Sequence, residues 1–103
     1  MPRATLYSWD DIALDKVTEM VAKKVIVTPA HRTAQVYVKK GSLVPRHAHE
    51  VDQWVYLLQG ALRVRLDRQD VTVREGEVLH VPAGVHHQAE ALDDTFLLDV
   101  RAG

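Results

Sequence analysis

His47-Ala48-His49-Glu50-Val51-Asp52-Gln53-Trp54-Val55-Tyr56-Leu57-Leu58-Gln59 is the stretch whose reading decides the fold. Its second half reads as a β-strand over Gln53 to Gln59, closed by a Gln59-Gly60 turn. Val55 and Leu57 point to one side of that strand, while Trp54, Tyr56 and Leu58 point to the other. A strand backed by solvent alternates apolar with polar, and this one does not. Either Val17 to Val27 covers the second face or a second subunit does, and in so small a chain a symmetric homodimer is the expectation. The first half carries two histidines separated by one small residue. On an extended strand, positions i and i+2 share a face, so the His47 and His49 imidazoles converge on one point. Gln53 opens the following strand and can bring an amide oxygen to the same place.

Working outward, Val, Ile, Thr and Tyr recur in short runs broken by Gly, Pro and Asp, the pattern of an antiparallel all-β domain. Strands are expected near Met20 to Val27, Ala34 to Lys39, Val44 to His49, Ala61 to Leu66, Val71 to Arg74, Val78 to Val81, His86 to Ala91 and Thr95 to Val100. Turns at Lys40-Gly41, Glu75-Gly76 and Pro82-Ala83-Gly84 separate them. Upstream, Ser8 and Asp11 suggest a capped helical turn between Ser8 and Asp15. With 103 residues, the expectation is a single domain spanning 1–103.

Composition narrows the chemistry. The chain is 47% hydrophobic and 26% charged, with no apolar run long enough for a membrane span. No export signal opens it, so a cytoplasmic location without membrane association is expected. Thirteen basic and fourteen acidic residues give a net charge of −1 without a basic concentration, which argues against nucleic acid as a partner. There is no cysteine, which removes disulfides, thiolate nucleophiles and thiolate-held metals. Of the six histidines, four fall in two clusters, His47 with His49 and His86 with His87. Neighbours on a strand face opposite sides, so only one of His86 and His87 can point inward.

The combined spacing is more specific than its parts. Gly41, five residues, His47, one, His49, three, Gln53, six, Gly60, followed by Gly76, five, Pro82, one, Gly84, two, His87, resembles both signature motifs of the cupin superfamily. The resemblance runs from about Trp9 to Val100. It implies a double-stranded β-helix, a jelly-roll barrel with a ligand site in its mouth. It also implies one divalent transition metal, zinc, nickel, iron, manganese or cobalt, held by His47, His49 and His87. Two positions depart from the common pattern: Gln53 stands where glutamate is usual, and Ala91 where asparagine often is. With Gln53 as the fourth ligand, three neutral imidazoles and an amide leave the ion its full charge, which favours Lewis-acid chemistry.

The runs from His47 to Gln53 and from Glu90 to Val100 further resemble a subgroup of small cupins with glutamine as fourth ligand. Its members linearise 4,5-unsaturated uronates in pectin and alginate breakdown. That resemblance implies a metal-dependent isomerase or lyase acting on a small sugar acid, with Asp99 as the catalytic acid or base and Arg101 as the carboxylate-binding cation. Asp99 could equally be a carboxylate paired with Arg101 or a surface lysine, and Arg101 a solvated chain end. Two other readings stand beside the enzyme. One is a cupin dioxygenase, disfavoured by the neutral Gln53. The other is a binding module for a small ligand, without catalysis.

Overall fold

The computed structural model describes residues 2–102. Among the described residues, ten strands form two antiparallel sheets: β1 (Asp15–Lys16), β2 (Val21–Thr28), β3 (His31–Val38), β4 (Leu43–His47), β5 (Gln53–Gln59), β6 (Ala61–Leu66), β7 (Asp70–Arg74), β8 (Val78–Val81), β9 (His87–Ala91) and β10 (Thr95–Ala102). The larger sheet runs β1-β2-β3-β10-β5-β8 and the smaller β4-β9-β6-β7. This is the expected all-β jelly roll, closed by sequence-distant pairings such as β3 with β10. No helix is long and apolar enough to cross a membrane among the described residues.

The N-terminal region differs from expectation in two ways. The helical turn is a single 3-10 turn at Trp9–Asp11, and the Ser8 side chain makes no capping hydrogen bond. The short strand β1, too brief to show a period in sequence, pairs Asp15 with Lys23 and Lys16 with Ala22.

Strand β5 shows how the pattern makes the core. Gln53, Val55 and Leu57 are buried, with Leu57 only 1% exposed, and alternate with exposed Trp54, Tyr56 and Leu58. Val55 and Leu57 pack with Val38, Leu62, Val64, Val73, Ala91 and Leu97 of both sheets into one cluster. On the outer face, Tyr56 lies in register between Leu98 and Val78, and Trp54 between Val100 and His80. Val17 to Val27 does not cover this face, because β2 joins the same sheet with β3 and β10 between it and β5. Trp54 and Tyr56 therefore stay 41% and 39% exposed.

Glycine is required most strictly at Gly60, between β5 and β6. Its φ is +92°, and a Cβ there would stand 2.4 Å from the Asp94 carbonyl oxygen and 2.7 Å from Thr95 Oγ1. Gly76 has a similar φ of +84° but open space around it. Alanine at either position incurs the left-handed strain, about 1–2 kcal/mol. Only Gly60→Ala adds a clash with backbone, so it should lower the urea unfolding midpoint well beyond Gly76→Ala; equal shifts would show that the close approach at Gly60 is unimportant.

Candidate metal centre

Strand register builds the site from both sheets. In the smaller sheet His47 of β4 pairs directly with His87 of β9, and their rings lie 4.2 Å apart between centroids. His49 lies beyond β4, which ends at His47 after an irregularity following Val44. The expectation that both histidines ride one regular strand is corrected here. The loop after β4 brings the His49 ring to 4.8 Å from that of His47 and 5.6 Å from that of His87. It is pinned where Gly84 N–H donates to the His49 carbonyl at 2.8 Å, tying the first histidine cluster to the turn that precedes the second. His86 faces outward and is exposed, while His87 is buried.

The larger sheet supplies the other wall. Across its inner face one row runs Arg32, Arg101, Gln53, Val81, and the next runs Ala34, Asp99, Val55, Leu79. His47, Gln53, His87, Asp99, Arg101 and Arg32 all line one cavity of about 220 Å³. Arg101 is no loose chain end: it is paired on both sides within β10, and its side chain is 19% exposed. Asp99, 15% exposed, accepts a hydrogen bond from Gln53 Nε2 at 3.0 Å and lies 3.5 Å from Arg101 Nε. Asp99 thus faces the cavity and is paired with Arg101, as one of its two sequence readings expected.

One functional candidate escaped the sequence. Arg32 falls outside a strand expected to begin at Ala34, whereas β3 begins at His31 and turns Arg32 inward beside Arg101. Alternation extended two residues back from buried Ala34 is the signal that finds it.

Hydrogen bonding decides what the cluster can hold. His47 Nδ1 donates to the Pro45 carbonyl at 2.7 Å, and His87 Nδ1 to that of Val85 at 3.0 Å. Each ring then carries its free lone pair on Nε2. One ligand atom from each of His47, His49 and His87 lies within 4.8 Å of the others. His87 Nε2 and Gln53 Oε1 are buried with no hydrogen-bond partner. Unpaired acceptors turned into one cavity fit a cation, and the residues present can hold a metal ion. Burial, foremost, lowers the pKa of both His49 and His87, so they remain neutral and able to ligate at neutral pH. Burial also raises the pKa of Asp99, against the lowering influence of the Gln53 hydrogen bond and Arg32.

Asp52 braces the site from outside. Its carboxylate accepts from Ala83 N–H at 2.9 Å and lies 3.0 Å from His80 Nε2, fastening the turn before His87 to the start of β5. Those two bonds, the backbone one first, hold its pKa below the ordinary range.

A two-sheet barrel with three imidazoles gathered at one end defines a cupin with a group able to bind metal. Residues 34–100 match the family model for the cupin domain, and the chain belongs to that family. No curated protein matches the sequence. Among solved structures, KdgF from Halomonas sp. is 26% identical, with a TM-score of 0.86 over 95% of this chain and 94% of that one. An RmlC-like cupin from Shewanella frigidimarina shares 18% identity, with a TM-score of 0.88 over 97% and 91% of the two chains. Bacillus subtilis oxalate decarboxylase, a protein with Mn(II) centres, is 20% identical and matches 97% of this chain with 30% of its own, at a TM-score of 0.83. The last two likenesses speak for the fold. The first agrees with the subgroup resemblance read from residues 47–53 and 90–100.

Purified protein is expected to carry about one divalent ion per chain, and alanine at His47, His49 or His87 should remove most of it. Metal analysis of the three variants checks this, and unchanged content in two of them would refute a three-histidine centre.

Proposed function

We propose that this cupin is a metal-dependent enzyme of the isomerase or lyase type that acts on a small sugar acid, with ring opening of a 4,5-unsaturated uronate as the leading reaction. The observation that carries the reading is the inner row of β10. It sets a buried carboxylate, Asp99, and a guanidinium, Arg101, in the same cavity as two of the three imidazoles, His47 and His87. The likeness to KdgF and the subgroup resemblance support the substrate class.

His47, His49, His87 and Gln53 would hold the ion, which when bound supplies a Lewis acid that lowers the energy of negative charge on a substrate oxygen. The remaining work belongs to the chain. Opening the ring breaks the bond between the anomeric carbon and the ring oxygen, while the anomeric hydroxyl loses its proton and becomes an aldehyde. The ring oxygen is left as an enol on C5. A proton delivered to C4 then converts the enol to a ketone, and the product is an isomer of the substrate. Asp99 is placed to move these protons. Desolvation raises its pKa toward the working range of a general acid or base, and Gln53 and Arg101 fix the carboxylate's orientation. Arg101, with Arg32 beside it, would bind the substrate carboxylate through planar paired donors. The apolar walls from Val55, Leu79 and Val81 exclude water from the enol.

Gln53 favours this chemistry over oxygen activation. A neutral amide leaves the ion's charge undiminished, and oxygen-activating centres more often include a carboxylate. It also fits its surroundings, because its N–H can donate to Asp99 while its oxygen faces the cavity.

We propose further that the outer face of β5 pairs two copies of the chain, since Trp54, Tyr56 and Leu58 are flanked by apolar Leu98, Val100 and Val78. Placing a charge there with Tyr56→Asp should yield monomers by light scattering, because the interface would have to bury an unpaired ion. Wild-type monomer at high concentration would refute the pairing.

For catalysis, Asp99→Asn should keep metal and fold while slowing conversion of an unsaturated uronate by roughly 10²-fold or more, the usual contribution of a positioned acid or base. Loss of the conjugated-alkene absorbance measures the rate. A variant as fast as wild type would remove Asp99 from the mechanism. Equal ligand binding by both proteins without turnover by either would make the chain a binding module.

A further inference from the structure

Arg101 makes a contact that the catalytic reading does not use: its Nη1 lies 2.9 Å from His49 Nδ1. A guanidinium has only N–H donors, so His49 must be the acceptor through Nδ1. A neutral imidazole has one lone pair, and spending it on Nδ1 puts the ring proton on Nε2. His47 and His87 have the opposite arrangement, since each donates from Nδ1 to a carbonyl oxygen. His49 is therefore the odd tautomer of the three.

Lone-pair counting gives the consequence. If His49 ligates an ion through Nε2, its proton moves to Nδ1 and confronts the arginine N–H. If it ligates through Nδ1, the ion takes the lone pair that Arg101 holds. Neither geometry preserves the contact.

We infer that Arg101 and the metal ion compete for the single lone pair of His49, so that completing the metal centre and freeing the Arg101 side chain are one event. This rests on the metal reading of the three histidines. The register explains why the released guanidinium matters. Arg101 stands directly opposite Arg32 on the inner face, an unfavourable pairing of like charges, and among the described residues Arg32 has no ion pair. With His49 withdrawn, two adjacent guanidinium groups are left facing one cavity, an arrangement relieved by an anion between them. By linkage, whatever draws Arg101 away from His49 strengthens metal binding, and metal binding makes Arg101 available.

Two measurements test the competition without recourse to activity. In metal-free, ¹⁵N-labelled protein near pH 8, imidazole nitrogen shifts should place the proton on Nδ1 in His47 and His87 and on Nε2 in His49. A proton on Nδ1 of His49 would overturn the inference. Zinc titration by calorimetry should then show Arg101→Ala binding zinc more tightly than wild type, by about fivefold or more, the lower range of ordinary site coupling. Removing any nearby cation favours a dication, so Arg32→Ala serves as the control, with both variants compared in the Asp99→Asn background because Arg101, unlike Arg32, also pairs with Asp99. The expected gain for Arg101→Ala clearly exceeds that for Arg32→Ala. Equal gains would reduce Arg101 to a coulombic effect, and weaker zinc binding would show that it supports the centre. His87→Ala separates the underlying reading, because zinc binding undiminished in that variant means there is no three-histidine centre, whatever Arg101 does.

Discussion

A polar group taken out of water needs a partner, and the open end of this barrel is where that requirement is left partly unmet. The core is ordinary hydrocarbon from Val38 to Leu97, but its last layer holds imidazoles, an amide, a carboxylate and a guanidinium. Leaving one buried polar atom unsatisfied costs about 1–3 kcal/mol, so their hydrogen bonds are distributed with economy. The Nδ1 protons of His47 and His87 go to carbonyl oxygens two residues back, and the Gln53 amide proton goes to Asp99. His87 Nε2 and Gln53 Oε1 are left over as acceptors, while Asp99 Oδ1 and Arg101 Nε face each other at 3.5 Å without a hydrogen bond. Acceptors left unpaired on one cavity wall would be stabilised by a cation. A metal ion bound there would complete the fold's hydrogen-bond inventory as much as add to it.

The same inventory accounts for Gln53 in place of the more usual glutamate. An amide has two different ends, and here the N–H end faces Asp99 Oδ2 at 3.0 Å while the oxygen is free. An ionised glutamate would set two carboxylates against each other with no proton between them, and one would have to take up a proton. Gln53 therefore lets Asp99 stay an ionised carboxylate, its hydrogen bond opposing the rise in pKa that burial causes. Under the proposed function, the choice of residue at position 53 would bear on both the ligand set and the carboxylate that moves protons.

Most of this was legible in the sequence because the two signals are local. Alternation along β5, and glycines at Gly41, Gly60, Gly76 and Gly84 that all take positive φ, place strands and turns without knowledge of the partner strands. Ligand spacing placed His47, Gln53 and His87 because each lies in a strand whose facing follows from counting. What failed depended on contacts far along the chain. His49 looked like the next inward residue of a strand, yet β4 stops at His47, and the ring is turned inward by a loop fastened to Gly84. Arg32 was missed because charged residues weaken a strand pattern, and its inward facing is fixed by pairing with β10 more than sixty residues later. The order of Arg101 has the same origin, since β3 and β5 hold it from either side.

Topology then explains why so small a barrel can keep a site at its end. His47 and His87 come from the smaller sheet, and Gln53, Asp99 and Arg101 from the larger, so anything bound among them touches both layers. The unfolded chain cannot assemble these groups, which are scattered from position 32 to position 101. Binding energy gained at the site is therefore energy of closure for the two sheets. The apolar cluster holds the layers together below, and at the open end the polar groups would hold them only once their unpaired acceptors are filled. The residues that would hold an ion are thus also the ones that would fasten the rim of the barrel. That is a reason for Arg101 to occupy His49 when no ion does: a donor placed on an otherwise unpaired imidazole keeps the rim closed until the ion replaces it.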